Sequence, residues 1–479
     1  MSDSQVVVKK PSKGVQFFYG LGAMPYGIKD NGFSYFLLIF YSQVLGLPPY
    51  AASLALAIAI AIDAVSDPIV GYVSDNWRSK FGRRHPFMYV AMIPICLSYV
   101  FLWNPPAEVI ADKELLFYYL LALAVLVRIL ITFFEVPNTA LISEFTDDYD
   151  MRTGLMGLRY MFGWLGGIGM AMLGYFVFLG DADSLVAEGV VSGYGAYGMM
   201  AAGLMFVGML VSALGTHRTI ETLHVPPSRT RPRLADVFRE LWETTRNYSF
   251  RVLFVASIFS GTAAGLGAAM SVYFNTFYWG LAPQQLGLFS IVHVFSALCA
   301  LPAAYVLGKK FEKKQAAMGS FFIMIAFGPV MVLARLADLL PPNGSDLLFL
   351  LLAVHTFIEV GMIIIFFTLF GAMMADVVED SAVDTARRSE GVLFAARGFA
   401  GKMVSGVGVL IAGLIITAAG LQPSITTPDN VPPDVLRNLV LYTVPVQVLF
   451  YGTALYILRY YRITRQKHGR NLAELSQAN

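Results

Sequence analysis

The chain has 479 residues, of which 57% are hydrophobic and 14% are charged, and its formal net charge is +2. Soluble domains carry about 25% charged residues, so this composition excludes a soluble globular protein. The near-neutral charge gives no indication of a nucleic-acid partner. Cys96 and Cys299 both lie inside apolar runs, which predicts two free thiols rather than a disulfide framework.

Apolar runs of about 20 residues recur along the whole chain, and each can cross the hydrocarbon core of a bilayer as one helix. The first run begins near Phe17 and has no small-residue cleavage site, so we expect a retained helix rather than a signal peptide. The predicted fold is therefore an all-α integral membrane protein with twelve spans. These spans are residues 17–45, 51–74, 87–104, 115–141, 154–179, 194–216, 251–280, 285–308, 316–338, 347–373, 391–417 and 435–461.

The spans divide into two sets of six. Residues 1–216 form an N-terminal half, 217–250 a central loop with a basic cluster at 229–233, and 251–479 a C-terminal half with a tail. Most of the 34 Lys and Arg residues fall in segments on one side of the predicted membrane. The positive-inside rule then places the loop and both termini in the cytoplasm, and we expect a multi-pass protein of the cell inner membrane.

Two acidic loops suggest that the halves are repeats. Residues 143–148 and 375–380 occupy equivalent positions, and each is followed by an Arg and by a Gly that opens a span with a further Arg, Arg159 or Arg397. Duplicated halves place a substrate site near the middle of the bilayer, between the halves.

Asp63 and Asp67 are the most informative charges inside the predicted spans. They are four residues apart, so both carboxylates share one helix face. Two like charges this close repel each other unless a cation lies between them or one of them takes a proton. This predicts a Na⁺ or H⁺ site, to which the Ser66 hydroxyl can contribute. The alternative is that Asp67 is satisfied by the backbone before Pro68 and that Asp63 pairs with an Arg.

Glu135 lies at a similar depth on the fourth span, with Thr132 on the same helix face. We expect these two residues to complete an oxygen cage for the cation. Arg128 also lies on this face, two turns away, and a structural Arg128–Glu135 ion pair is the alternative.

Further polar groups lie in the second half. Lys402 is a base in the middle of a span, where it needs a carboxylate partner or a functional role such as coupling or substrate contact. His293, His355 and Glu359 suggest a proton relay, although membrane histidines also serve as packing residues. Asn275 lies in an aromatic stretch that we expect to line the cavity in part.

No motif of a soluble hydrolase, zinc protease or nucleotide-binding loop occurs, so we do not expect an enzyme or a cofactor other than the coupling ion. An ion gradient must then supply the energy for transport. A passive channel and a membrane-embedded lipid enzyme are the rival classes. Paired halves and clustered midplane charges favour a carrier over both.

Two adjacent segments are similar to one transporter family. Residues 63–71 and 74–86 together resemble the glycoside–pentoside–hexuronide:cation symporters of the major facilitator superfamily, whose best-known member is the melibiose carrier. Residues 20–23, 135–137 and 391–402 extend the resemblance over nearly the whole chain. It implies twelve transmembrane helices and cation-coupled symport of a sugar-like solute by alternating access.

The resemblance also implies roles for individual residues. The coupling cation, Na⁺ or H⁺, is expected at Asp63, Asp67, Thr132 and a carboxylate that is usually Asp but here is Glu135. Arg159 corresponds to a substrate contact, and Lys402 to a link between the cation and substrate sites. A cytoplasmic gate is expected in the loop that contains Asp75, Arg78, Arg83 and Arg84.

The chain departs from the melibiose carrier at two sugar contacts. Gly27 stands in place of an Asp, and Thr139 in place of a Trp. Residues 134–141 also resemble sodium-dependent lysophosphatidylcholine symporters, so a lysophospholipid or another amphipathic anion is the alternative solute. The partners expected for this chain are therefore a small solute, a monovalent cation and the bilayer, with the protein as a monomer. The candidate substrate contacts are Tyr26, Lys29, Asp30, Thr139, Arg159, Asn275, His355, Glu359 and Lys402.

Overall fold

The computed structural model describes residues 11–146, 148–220, 247–385, 390–423 and 430–477. The basic cluster at 229–233 and the side chain of Arg397 lie outside what it describes. In these ranges the chain is helical and contains no strand. Eleven of the described helices are long and apolar enough to cross a membrane.

The first predicted span is interrupted rather than continuous. It consists of α1 (Lys13–Leu21), α2 (Met24–Asn31) and two π-helical segments, Gly32–Leu37 and Phe40–Val44. The break between α1 and α2 precedes Pro25, which has no backbone N–H and fits the first turn of a new helix. This interruption explains why eleven helices, rather than twelve, reach spanning length in the described chain.

Contacts between residues divide the chain into two compact units, and the first unit contains the helices up to His217. In this unit α1 and α2 pack against α8 and α9, whereas α4 packs against α6 and α9, and α3 against α6. Its remaining helices are α3 (Pro49–Asn76), α4 (His85–Trp103), α5 (Ala107–Ala111), α6 (Lys113–Ala140), α7 (Ile142–Phe145), α8 (Tyr149–Leu173) and α9 (Val191–His217).

The second unit follows the same packing order. Its first long helix, α10, packs against α15 and α16, and α12 packs against α14 and α16. These pairs correspond to those of the first unit, span for span. The helices are α10 (Tyr248–Tyr273), α11 (Pro283–Lys310), α12 (Lys313–Phe327), α13 (Val330–Leu336), α14 (Asp346–Thr385), α15 (Glu390–Ala419), α16 (Pro433–Leu458) and α17 (Arg465–Gln477).

Gly27 lies where α2 and α8 pack closely together. A Cβ atom at Gly27 would overlap the backbone carbonyl of Gly163, and one at Gly167 would overlap the Asn31 amide. Small residues are what allow helix backbones to approach this closely in a membrane. The absence of an acidic side chain at position 27 is therefore required by the packing of this unit.

Candidate functional site

A compact polar cluster joins α3 to α6 inside the first unit. The Thr132 hydroxyl oxygen lies 3.2 Å from Asp63 Oδ1, 3.0 Å from Asp67 Oδ1 and 3.0 Å from the Arg128 carbonyl. Arg128 Nη1 donates to Asp63 Oδ2 at 3.1 Å. The structure thus brings together Asp63, Asp67 and Thr132, and it adds Arg128 to them.

The cluster brings two carboxylates and one guanidinium group together. Asp63 and Arg128 are both buried, with 2% and 9% of their side chains exposed, and they form one ion pair. Asp67 is half-buried and adds a second carboxylate on the same face of α3. Two carboxylates that share one hydroxyl group repel each other, which favours a bound monovalent cation or a proton between them.

The Thr132 hydroxyl carries a single proton but faces three acceptors. It can donate to only one of them at a time. The two acceptors that do not receive this proton therefore lie 3.0–3.2 Å from the hydroxyl oxygen and face its lone pairs. Oxygen atoms gathered in this way are suitable ligands for a hard cation, and Ser66 lies next to them, with its hydroxyl donating to the Asp63 carbonyl at 3.0 Å.

Glu135 belongs to a different cluster, which links α6 to α8. Its Oε1 accepts from Arg159 Nη2 at 2.6 Å and from the Thr139 hydroxyl at 3.1 Å. Arg159 Nη2 also donates to Thr139 Oγ1 at 2.7 Å, and its Nη1 donates to the Asn138 side chain. The structure does not form the Arg128–Glu135 ion pair that was the alternative interpretation of the sequence. Arg128 instead pairs with Asp63, and Glu135 pairs with Arg159.

The second carboxylate oxygen of Glu135 has a different environment. Glu135 Oε2 is buried and has no hydrogen-bond partner among the residues that the structure describes. Such an acceptor is costly to leave unsatisfied, so it identifies a place where a ligand donor fits. Asn138 completes the surroundings of Arg159 but was not among the predicted site residues. An amide directly after Pro137 inside a predicted span was the available signal.

Lys29 is fully buried in α2. Its ammonium lies 3.5 Å from Asp30 Oδ1 and 4.3 Å from the centre of the Tyr26 ring. The centre of the Phe33 ring lies 5.8 Å from the Lys29 ammonium and 4.9 Å from the Arg128 guanidinium. Three candidate substrate contacts, Tyr26, Lys29 and Asp30, are therefore neighbours of one another.

The loop between α3 and α4 forms ion pairs with α7. Glu144 Oε1 lies 2.7 Å from Arg83 Nε and 2.5 Å from Arg84 Nε. Arg84 Nη2 also reaches Asp75 Oδ1 at 3.2 Å. Burial lowers the pKa of Arg84, against the opposing effect of Glu144 and Asp75. Three of the four predicted gate residues thus share one network, and the fourth, Arg78, is exposed.

The second unit repeats this arrangement at the equivalent loop. Lys313, at the start of α12, lies 2.6 Å from Asp376 on α14. Asp376 and Glu144 occupy matching positions in the two acidic loops of the sequence. Asp376 is also 3.5 Å from His468 of α17, which follows the last span.

The remaining candidates lie in the second unit. His355 Nδ1 is 3.7 Å from Glu359 Oε2 on α14. Asn275 is half-buried in the π-helical segment Phe274–Tyr278, and Lys402 is half-buried on α15. The relation of these residues to the clusters of the first unit stays a prediction.

Comparison with known proteins agrees with this fold. The family model described as MFS/sugar transport protein matches residues 18–465. An uncharacterized symporter of Synechocystis is 25% identical over 94% of this chain and 94% of its own length. A putative glycoside/cation symporter of Escherichia coli is 23% identical, over 93% and 91% of the two chains.

The chain is also similar to a lipid symporter in sequence and to a solved transporter structure in fold. The sodium-dependent lysophosphatidylcholine symporter 1 of Xenopus tropicalis is 24% identical over 95% of this chain and 88% of its own. The xylose transporter of Escherichia coli superposes with a TM-score of 0.60 at 11% identity, covering 95% and 98% of the two chains, which supports the fold. The chain is therefore a multi-pass membrane protein, and it belongs to the MFS/sugar transport family of the major facilitator superfamily.

Proposed function

We propose that this protein is a secondary active transporter that couples the movement of an organic solute to Na⁺ or H⁺ at Asp63, Asp67 and Thr132. The observation that carries the proposal is the single Thr132 hydroxyl between the carboxylates of Asp63 and Asp67. A cation bound to these oxygen atoms relieves the repulsion between the two carboxylates, and its binding changes the geometry of both helices that supply ligands. Solute and cation then raise each other's affinity reciprocally.

The second cluster supplies the solute contacts in this proposal. Arg159, Thr139 and the unsatisfied Glu135 Oε2 offer charged and neutral hydrogen-bonding groups of the kind that hold sugar hydroxyls. In this proposal Glu135 belongs to the solute site and not to the cation site in which the sequence predicted it. The cation and solute sites remain adjacent, because Thr132 and Glu135 lie one turn apart on α6.

A glycoside or a sugar-like molecule is our first candidate for the solute, and a lysophospholipid is the second. The second is favoured by the aromatic residues after Arg159, since Tyr160 and Trp164 are 66% and 53% exposed on α8. Such rings beside an Arg suit an apolar chain with an anionic head. We further propose that both termini lie in the cytoplasm, as the distribution of Lys and Arg indicates, and that the protein acts as a monomer.

Uptake by proteoliposomes tests the proposal. Glycosides, free sugars and lysophosphatidylcholine are offered separately under a Na⁺ gradient, a pH gradient or neither. Accumulation of one solute class that requires one of the gradients is expected. Equal flux with and without gradients, in the absence of exchange between internal and external solute, would indicate a passive pore and contradict the proposal.

A further inference from the structure

The second unit contains an acid–base pair that the cation and solute clusters do not use. His355 and Glu359 lie one turn apart on α14, and His355 Nδ1 is 3.7 Å from Glu359 Oε2. The membrane-spanning part of this helix is Asp346–Val377. Glu359 is about 20 Å along the helix from its Asp346 end, which places the pair in the middle of the hydrocarbon core.

The second ring nitrogen of His355 fixes the tautomer. His355 Nε2 lies 3.0 Å from the Phe327 carbonyl oxygen. A carbonyl only accepts, so Nε2 must carry a hydrogen, and a neutral ring then has a bare lone pair on Nδ1. That lone pair faces a carboxylate. Either Nδ1 or Oε2 must therefore hold a proton for the contact to be attractive.

A break in the neighbouring helix supports a positive charge at this point. α12 ends at Phe327, before Gly328 and Pro329, and the Phe327 carbonyl is one of its last four, which have no partner within a helix. The C-terminal end of a helix attracts positive charge. Interrupted membrane helices present their carbonyl ends at ion sites in this way. A Cβ at Gly328 would lie 3.2 Å from Glu359 Oε1, so the carboxylate lies directly against the break.

The other groups near the pair do not replace this proton. Tyr451 on α16 interacts electrostatically with Glu359 but is neutral at physiological pH. α11 packs at this depth through Ser296, which donates to the Phe357 carbonyl, and His293 lies one turn earlier on α11. In the described part of the chain, no Lys or Arg forms an ion pair with Glu359. Loss of the proton would leave a full negative charge at the membrane centre.

We propose that His355 and Glu359 form a proton-binding site that holds one proton, separate from the Asp63–Asp67 cluster. The proton lies on Nδ1 or on Oε2, and the pair is neutral overall in both forms. The inference goes beyond the proposed symport, because it applies whether the coupling ion of the first unit is Na⁺ or H⁺. If that ion is Na⁺, the protein carries two chemically different cation sites.

The test compares the melting temperatures of wild type, Glu359→Gln and Asp346→Asn between about pH 7 and about pH 9. At the lower end of this range the folded pair holds a proton that the unfolded chain has largely lost, so wild type loses stability as pH rises until the folded pair is deprotonated. The amide in E359Q packs like the protonated acid and removes the titration. Asp346 is exposed at the start of the same helix, so D346N is the matched control.

We expect wild type and D346N to share one slope and E359Q to show a flatter one, by up to one proton per molecule. Parallel slopes for all three would overturn the proposal. Since stability rather than transport is read, failure of the symport assignment would not affect this result.

If E359Q does not fold, infrared difference spectra of wild type containing ring-labelled histidine serve instead. We expect a protonated carboxyl or an imidazolium band to disappear over the same pH change. Spectra in which neither band changes would overturn the proposal.

Discussion

Arg128 Nη1 donates to Asp63 Oδ2 at 3.1 Å, and this ion pair is buried between α6 and α3. Arg128 thus pairs with one of the two carboxylates that share the Thr132 hydroxyl.

Arg128→Met should therefore destabilise the protein by about 3–5 kcal/mol, because it leaves Asp63 buried without its partner. Asp63→Asn in the same chain should recover much of this loss, since both charges are then absent. A double-mutant cycle of melting temperatures in detergent measures this coupling. Additive effects of the two substitutions would show that the pair does not act as a unit.

Glu144 and Asp75 contribute unequally to the network of the first loop. Glu144 is 3% exposed and contacts two guanidinium groups, whereas Asp75 is 54% exposed and contacts one. We expect Glu144→Gln to cost about 3–5 kcal/mol and Asp75→Asn about 1 kcal/mol or less. Thermal unfolding of the two variants in detergent compares them, and a larger loss in D75N would contradict the structure.

Asp380 fixes α17 to α14. Its Oδ1 accepts from Lys467 at 2.6 Å and from Asn471 at 2.8 Å, and its Oδ2 accepts from Asn247 at 3.1 Å. Burial alone would raise the pKa of Asp380, but these hydrogen bonds outweigh it and hold the pKa below its ordinary value. The stabilisation is therefore present above the ordinary Asp pKa of about 3.9 and is lost as pH falls through the lower folded value.

Asp380→Asn should consequently melt below wild type at neutral pH, and the two curves should converge in acid. Melting temperatures measured from about pH 7 to about pH 3 test this expectation. Exposed Asp183, replaced by Asn, is the control and should follow wild type throughout. A gap between D380N and wild type that persists unchanged in acid would show that the carboxylate charge is not responsible.

Glycine contacts give a prediction about packing. Gly27→Ala should prevent correct folding or lower stability severely, because its Cβ would overlap the backbone of Gly163. Gly157, on the same helix as Gly163, has open space at its Cβ position. Gly157→Ala should be neutral or stabilising by up to about 1 kcal/mol. The yield of monodisperse protein and its melting temperature distinguish the two outcomes.

The helical membrane fold could be predicted because the length and apolarity of each span are local properties of the sequence. The interruption of the first span was not predicted. Hydropathy averages over the run from Phe17 onward, whereas the break depends on backbone geometry at Gly22 and Pro25.

The residues of the polar clusters could also be predicted, because charges are rare inside membrane spans. Their pairing could not. Arg128 lies two turns from Glu135 on its own helix but reaches across to Asp63, and Glu135 is taken by Arg159 of α8. A long Arg side chain has several acids within reach, and only the packing of the helices selects one. Glu144 was recognised as part of a repeated loop, but its role as the acceptor for Arg83 and Arg84 required the structure.

The most direct test of coupling at Asp63, Asp67 and Thr132 is cation-driven solute accumulation by proteoliposomes that contain Asp67→Asn, with exposed Asp183→Asn as the matched control. We predict that D183N accumulates solute like wild type. We predict that D67N binds solute but no longer accumulates it in response to the cation gradient, because one of the two carboxylates around Thr132 is gone. Gradient-driven accumulation by D67N at the wild-type level would contradict the account.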